Sequence, residues 1–224
     1  MVNEEPQDSQ RETFAGVPPV VPRPAAELAP LLDWLRAGRP AGERLDFTAG
    51  TALPDGRLDL CKQGVGAAGA ALIAEALGEG PTPVRHLLLG TDALGDEGAE
   101  AVAGSGAGVT LLDLGRVRAA AVLAAGDNQI DLAAADTIGR ALSGSGHRLA
   151  HLVLTHTGMR SREAHRLLDH AVHAGTATRY RLGAGIAASV KRRLDDLSAH
   201  IPAPAVPADV AAVRSVHRTA PPEA

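Results

Sequence analysis

The chain has a single cysteine, Cys61, in 224 residues. That excludes an intrachain disulfide and fits a reducing, cytoplasmic setting. Aromatic residues make up 2% of the sequence, so a core has to be built from Leu, Val, Ile and Ala. Lysine is nearly missing: Lys62 and Lys191 are the only two, and arginine supplies the rest of the positive charge. We read this as a bacterial coding bias toward GC rather than as chemistry. A net charge of −4 gives no pull of one sign toward nucleic acid or an acidic membrane surface. No apolar run approaches the ~18 residues of a membrane span, and residues 1–12 lack the apolar stretch of a signal peptide.

What the sequence does hold is a recurring pattern. Leu58-Asp59-Leu60 leads to Val65-Gly66 and then to Gly69-Ala70, Leu72-Ile73 and Ala76-Leu77. Leu87-Leu88-Leu89 leads to Leu94-Gly95, Gly98-Ala99 and Val102; Leu123-Ala124-Ala125 leads to Asn128, Ile130, Ile138 and Leu142; Leu152-Val153-Leu154 leads to Met159 and Leu167-Leu168. Leu60 and Leu89 are 29 residues apart, as are Ala125 and Leu154. A short strand, a tight turn and an amphipathic helix at that period is the pattern of a leucine-rich repeat, whose units bury their apolar faces on one another. The interval from Leu89 to Ala125 is 36. Residues 109–122 therefore hold either an enlarged loop or a damaged repeat with its own strand at Leu112-Asp113-Leu114.

Residues 86–103, with Leu87, Leu89, Asp92, Leu94-Gly95, Gly98-Ala99 and Val102, resemble the repeat unit of the ribonuclease-inhibitor-like class of leucine-rich repeat proteins. Residues 54–66 resemble the first repeat of its small bacterial members. The resemblance covers roughly residues 44–200. It implies an α/β fold, a right-handed curved solenoid with parallel strands on the concave face and helices on the convex face. The position that carries asparagine in that class, where it bonds turn backbone, reads Gln63, Asp92, Asn128, Thr157 and Gly185.

Around the repeats the chain divides simply. Residues 1–24 are polar, then Pro-rich, and are expected to form a disordered tail. Residues 25–43 hold an N-terminal capping helix with the stripe Leu28, Leu31, Leu32 and Leu35, on which Trp34 covers the first repeat. Residues 44–200 form the repeat domain, ending in a short unit whose Lys191, Arg192 and Arg193 suit a polar outer face. Residues 201–224 are Pro-rich, with spacing over 209–218 that suits a short capping helix.

In each strand the leucines point inward and the flanking residues outward. The outward face then reads Arg57-Asp59-Cys61, His86-Leu88-Gly90, Val122-Ala124-Gly126, His151-Val153-Thr155 and Arg179-Arg181-Gly183. Cys61 and His86 stand roughly 13 Å apart along the strand direction, too far for a thiol and its base. His86 and His151 share a row with one strand between them, at ~10 Å, and cannot ligate one metal. His170 and His173 lie three apart on a helix, without the further ligands of a metal centre, and read as a solvated face. The glycine-rich residues 104–108 precede a strand, the wrong order for a phosphate loop. No catalytic constellation assembles, and neither a metal nor a cofactor is expected.

The expected function is a non-catalytic protein–protein interaction module. Its partner, a protein or peptide, would meet Arg57, Asp59, His86, His151, Thr155, Arg179 and Arg181, with His151, Arg179 and Arg181 forming an anion-seeking edge. The alternatives are a small enzyme or metabolite-binding protein with a pocket at Val122, Ala124 and Val153, and, by fold analogy alone, a GTPase regulator.

Overall fold

The structure, a computed structural model, describes residues 20–104, 108–117, 128–144 and 147–203. The expected tail over 1–19, the expected strand at Val122–Gly126 and the C-terminal helix over 209–218 lie outside the described residues. None of the described helices is long and apolar enough to cross a membrane.

The first helix, α1 (Ala25–Ala37), buries Leu28, Leu31, Leu32 and Leu35. It ends at Gly38, whose left-handed φ of 65° turns its N–H back onto Leu35 O at 3.0 Å. Trp34 packs on the core edge and meets Phe47 with ring centroids 5.7 Å apart. Residues 20–24, read from sequence as the end of a tail, lie along the first turn of the array. Arg23 N–H donates to Gly64 O, and its guanidinium reaches Gln63 O and Gln63 Oε1.

Three short strands follow: β1 (Leu45–Phe47), β2 (Gly50–Ala52) and β3 (Arg57–Asp59), paired antiparallel. From β3 onward every pairing is parallel, through β4 (His86–Leu88), β5 (Leu111–Asp113), β6 (His151–Leu154) and β7 (Arg179–Leu182). The seven strands lie in chain order. Each parallel step carries one helix: α2 (Gly66–Gly78), α3 (Gly95–Gly104), α4 (Leu132–Ser143) and α5 (Ser161–Ala171), with α6 (Ala188–Leu197) after β7. Each helix packs on the next, α1 on α2 through to α5 on α6. The protein is thus an α/β protein with a mostly parallel sheet.

The third parallel strand corrects the sequence reading. The place between β4 and β6 belongs to Leu111–Asp113, and Leu112 pairs in register with Leu87 on one side and Leu152 on the other. The segment 109–122 therefore carries a strand of its own rather than an enlarged loop alone. The in-register row is Leu58, Leu87, Leu112, Leu152 and Tyr180, spaced 29, 25, 40 and 28 residues along the chain. All five are buried, together with Leu60, Leu89, Leu114 and Leu154 two residues on.

Small residues let the helices close on one another, which is how a core almost without aromatics fills. A Cβ at Gly98 would come within 3.0 Å of Ala67 Cα and 3.2 Å of Ala70 Cβ. At Gly139 a Cβ would overlap the His170 ring, whose Nε2 lies 3.0 Å from Asp136 Oδ1. The solvated helix face expected at His170 is instead a packed α4–α5 contact. The side chain of Asp131 starts α4 by accepting from the N–H groups of Ala133 and Ala134, two donors that the first helical turn leaves without a partner.

Candidate functional site

Between the buried leucines the alternate strand residues form the other face of the sheet. Register places Arg57, His86, Leu111, His151 and Arg179 in one row, and Asp59, Leu88, Asp113, Val153 and Arg181 in the next. Leu111 and Asp113 were missed from sequence because the third strand was placed elsewhere. Leu88, Leu111 and Val153 are only half-buried, where the leucines of the opposite face are closed off. The centre of this face thus sets half-buried Leu88, Leu111 and Val153 around Asp113, which stands between Leu88 and Val153, and its ends are charged.

The sequence-predicted residues differ in how free they are. Arg57 is buried and turned onto Asp55, with Nε 2.6 Å from Oδ2, so it closes the N-terminal end of its row instead of reaching out. Asp59 is half-buried and accepts from Cys61 N–H at 3.0 Å. Thr155 is half-buried where Gly115 passes close by, and its carbonyl accepts from Arg116 N–H at 2.9 Å. Arg179 donates through Nη1 to Ile201 O at 2.8 Å, tying down the chain beyond α6. Arg181 is exposed and forms no ion pair with a described residue. The three residues expected to form an anion-seeking edge therefore lie together, His151 beside Arg179 and Arg181 in the next row, but one of the two arginines has a second task.

The two histidines stand on either side of Leu111, as their row order requires. Both imidazoles are held below the ordinary histidine range. Burial is the main cause in each, reinforced at His151 by Arg179 and His86, and opposed at His86 by Asp55. Burial also pushes the Cys61 thiol well up, and the carboxylates of Asp59, Asp92 and Asp113 push it further. A thiol so disfavoured as thiolate is a poor nucleophile. Among the described residues no group of three or more His, Cys, Asp or Glu is placed to hold a metal.

Past the C-terminal ends of β3, β4 and β5 runs a line of turn-bonding side chains. Asp92 Oδ1 accepts from the N–H groups of Gln63 and Gly64 at 2.8 and 3.0 Å. Asn128 Oδ1 accepts from Asp92 and Leu94, and its Nδ2 donates to Leu89 O at 2.7 Å and Leu114 O at 3.0 Å. Asp92 does half of this work: it is fully buried and its Oδ2 meets no donor among the described residues. Burial raises its pKa from 3.8 to about 7, outweighing the N–H donors, which act the other way.

A carboxyl whose folded pKa is raised gives stability that is whole below about pH 4 and is lost as the pH rises through about 7. Asp92→Asn keeps the acceptor and turns the unpartnered oxygen into a donor. It is expected to stabilise the fold by about 1–3 kcal/mol at pH 8, a gain that fades toward pH 4. Urea melts of both proteins across that range check this, and a pH-independent difference would show that the carboxyl does not titrate there.

The outermost strand and the last helix enclose a shallow pocket of about 200 Å³, lined by Tyr180, Arg181, Leu182, Lys191, Leu194 and Asp195. Sequence reading placed Arg181 on the sheet and Lys191 on the end helix without bringing them together. The pocket expected at Val122, Ala124 and Val153 rests on residues outside those described, Val153 excepted. No protein-family model matches the chain, and no curated protein matches it.

Proposed function

We propose that the chain is a leucine-rich repeat protein of the ribonuclease-inhibitor-like class and serves as a non-catalytic interaction module, binding a protein partner on the outer face of its parallel strands. The repeat reading is supported by strands lying in chain order, helices stacked in the same order, and Asp92 and Asn128 bonding turn backbone where that class uses asparagine. One observation carries the functional reading: half-exposed Leu88, Leu111 and Val153 gather around Asp113 at the middle of the face, with His86 and His151 beside Leu111 and with Asp59 and Arg181 at the two ends. Protein interfaces combine apolar side chains with polar groups in this way. The His151, Arg179 and Arg181 end directs an acidic part of the partner.

A photo-crosslinking residue at Leu88 is expected to capture a partner from the native lysate. Leu111→Asp with Val153→Asp should abolish that capture and leave the melting temperature within a few degrees, since neither side chain is in the closed core. Arg181→Ala should weaken binding and flatten its salt dependence. Capture that survives the double aspartate variant would end this reading.

A further inference from the structure

The last strand of the sheet pairs with β6 on one edge, and no described strand pairs with the other. Arg179 N–H donates to Ala150 O at 2.8 Å, toward β6. Along a strand the backbone groups of successive residues face opposite sides, so those of Tyr180 and Leu182 point away from β6. No described turn or loop residue bonds them. An edge of this kind is a template for another extended chain. Beside it lies the β7–α6 pocket, where Tyr180, Leu182 and Leu194 supply apolar wall and Arg181 and Lys191 outnumber Asp195.

We propose that the β7 edge binds an extended peptide in which apolar and acidic residues alternate. A strand added there continues both rows of the sheet. Its inward side chains extend the buried row that ends at Tyr180 and fall against Tyr180, Leu182 and Leu194. Its outward side chains extend the row that ends at Arg181, where a carboxylate meets a guanidinium and, across the pocket, Lys191. Opposite charges on neighbouring strands attract and like charges repel. That argues against a second copy of this chain, since pairing β7 with β7 sets Arg179 and Arg181 against the same two arginines. The proposal rests on the interaction-module reading and adds the partner's conformation and sequence pattern, but it uses the edge of the sheet instead of its face.

The probe is a fluorescein-labelled hexapeptide of alternating valine and glutamate, followed by anisotropy with the full chain at low salt. It is expected to bind at least about tenfold more tightly than the valine–lysine hexapeptide, a difference of about 1.4 kcal/mol. N-methylation of the amides that face β7 should weaken it by a similar factor. Arg181→Glu should reverse the preference between the two peptides, and Lys191→Glu should reduce it, with circular dichroism confirming that both variants are folded. Leu88→Asp with Leu111→Asp should leave the peptide affinity within about twofold, as both lie on strands at least two removed from β7 and the face is not used. The proposal is overturned if the full chain binds neither peptide, if N-methylation has no effect, or if binding is lost with the face variant. The last result would move the peptide to the face and leave the module reading standing, whereas loss of lysate capture with peptide binding intact would remove the face alone.

Discussion

Asn128→Ala is expected to cost about 3–5 kcal/mol, because it strands four buried backbone groups at once. The side chain accepts from the N–H groups of Asp92 and Leu94 and donates to the carbonyls of Leu89 and Leu114. Those four groups belong to two successive strand–turn units, so one residue joins β4's turn to β5's end. Water entering the vacated space would recover part of the loss, which keeps the cost below the sum of four broken bonds. Asn128→Asp gives a sharper check. It retains the two acceptor contacts but sets a carboxylate against two carbonyls, so its penalty should grow from pH 5 to pH 8. Urea unfolding of both variants reads this, and an alanine penalty under about 1 kcal/mol would show that the bonds are replaced by solvent at no cost.

Asn128 and Asp92 also show how much could be read beforehand. A polar side chain at four of the five turn positions, Gln63, Asp92, Asn128 and Thr157, was legible from the pattern, and its task follows from its donors and acceptors. What Asp92 leaves undone was not legible. Whether Oδ2 finds a donor depends on the neighbouring turn, which approaches from Gln63 and Gly64, some 29 and 28 residues away in sequence. The same holds for Arg57. Alternation places it on the outer face, but a local partner, Asp55, folds it back and buries it. Alternation reports direction, and availability is decided by the nearest opposite charge. Arg23 marks a third limit, since a proline-rich stretch without helical period can still be held by one guanidinium on a turn carbonyl.

The misplaced third strand has a different cause. Leu123-Ala124-Ala125 restores the 29-residue interval to Leu154, whereas the strands keep register and let the interval vary between 25 and 40. A strand's place in the sheet is fixed by its neighbours' backbone hydrogen bonds, such as Leu89 N–H to Asp113 O and Leu114 N–H to Val153 O. Loop length is cheap by comparison, as each doubling costs only about 0.6 kcal/mol in closure entropy. The inner leucines at Leu112 and Leu114 were therefore better evidence than the spacing.

That assignment can be measured. Leu112→Ala is expected to cost about 2–5 kcal/mol, as are Leu89→Ala and Leu154→Ala, because each removes a fully enclosed side chain from a core too tightly packed to collapse around the gap. Leu112 lies between Leu87 and Leu152, both closed to solvent. Its neighbour Leu111 is the control: one residue along, on the opposite face and half-exposed, it should lose less than about 1 kcal/mol on truncation. Because strand periodicity is two, a one-residue slip exchanges the two roles completely. Equilibrium urea unfolding of the pair thus decides register as well as strand identity. A larger penalty at Leu111 than at Leu112 would shift β5 by one residue, moving Leu112 to the outer face between His86 and His151. Equal and small penalties at both would remove β5 from the core, and with it the placing of Leu111 between β4 and β6 on which the proposed interaction face depends.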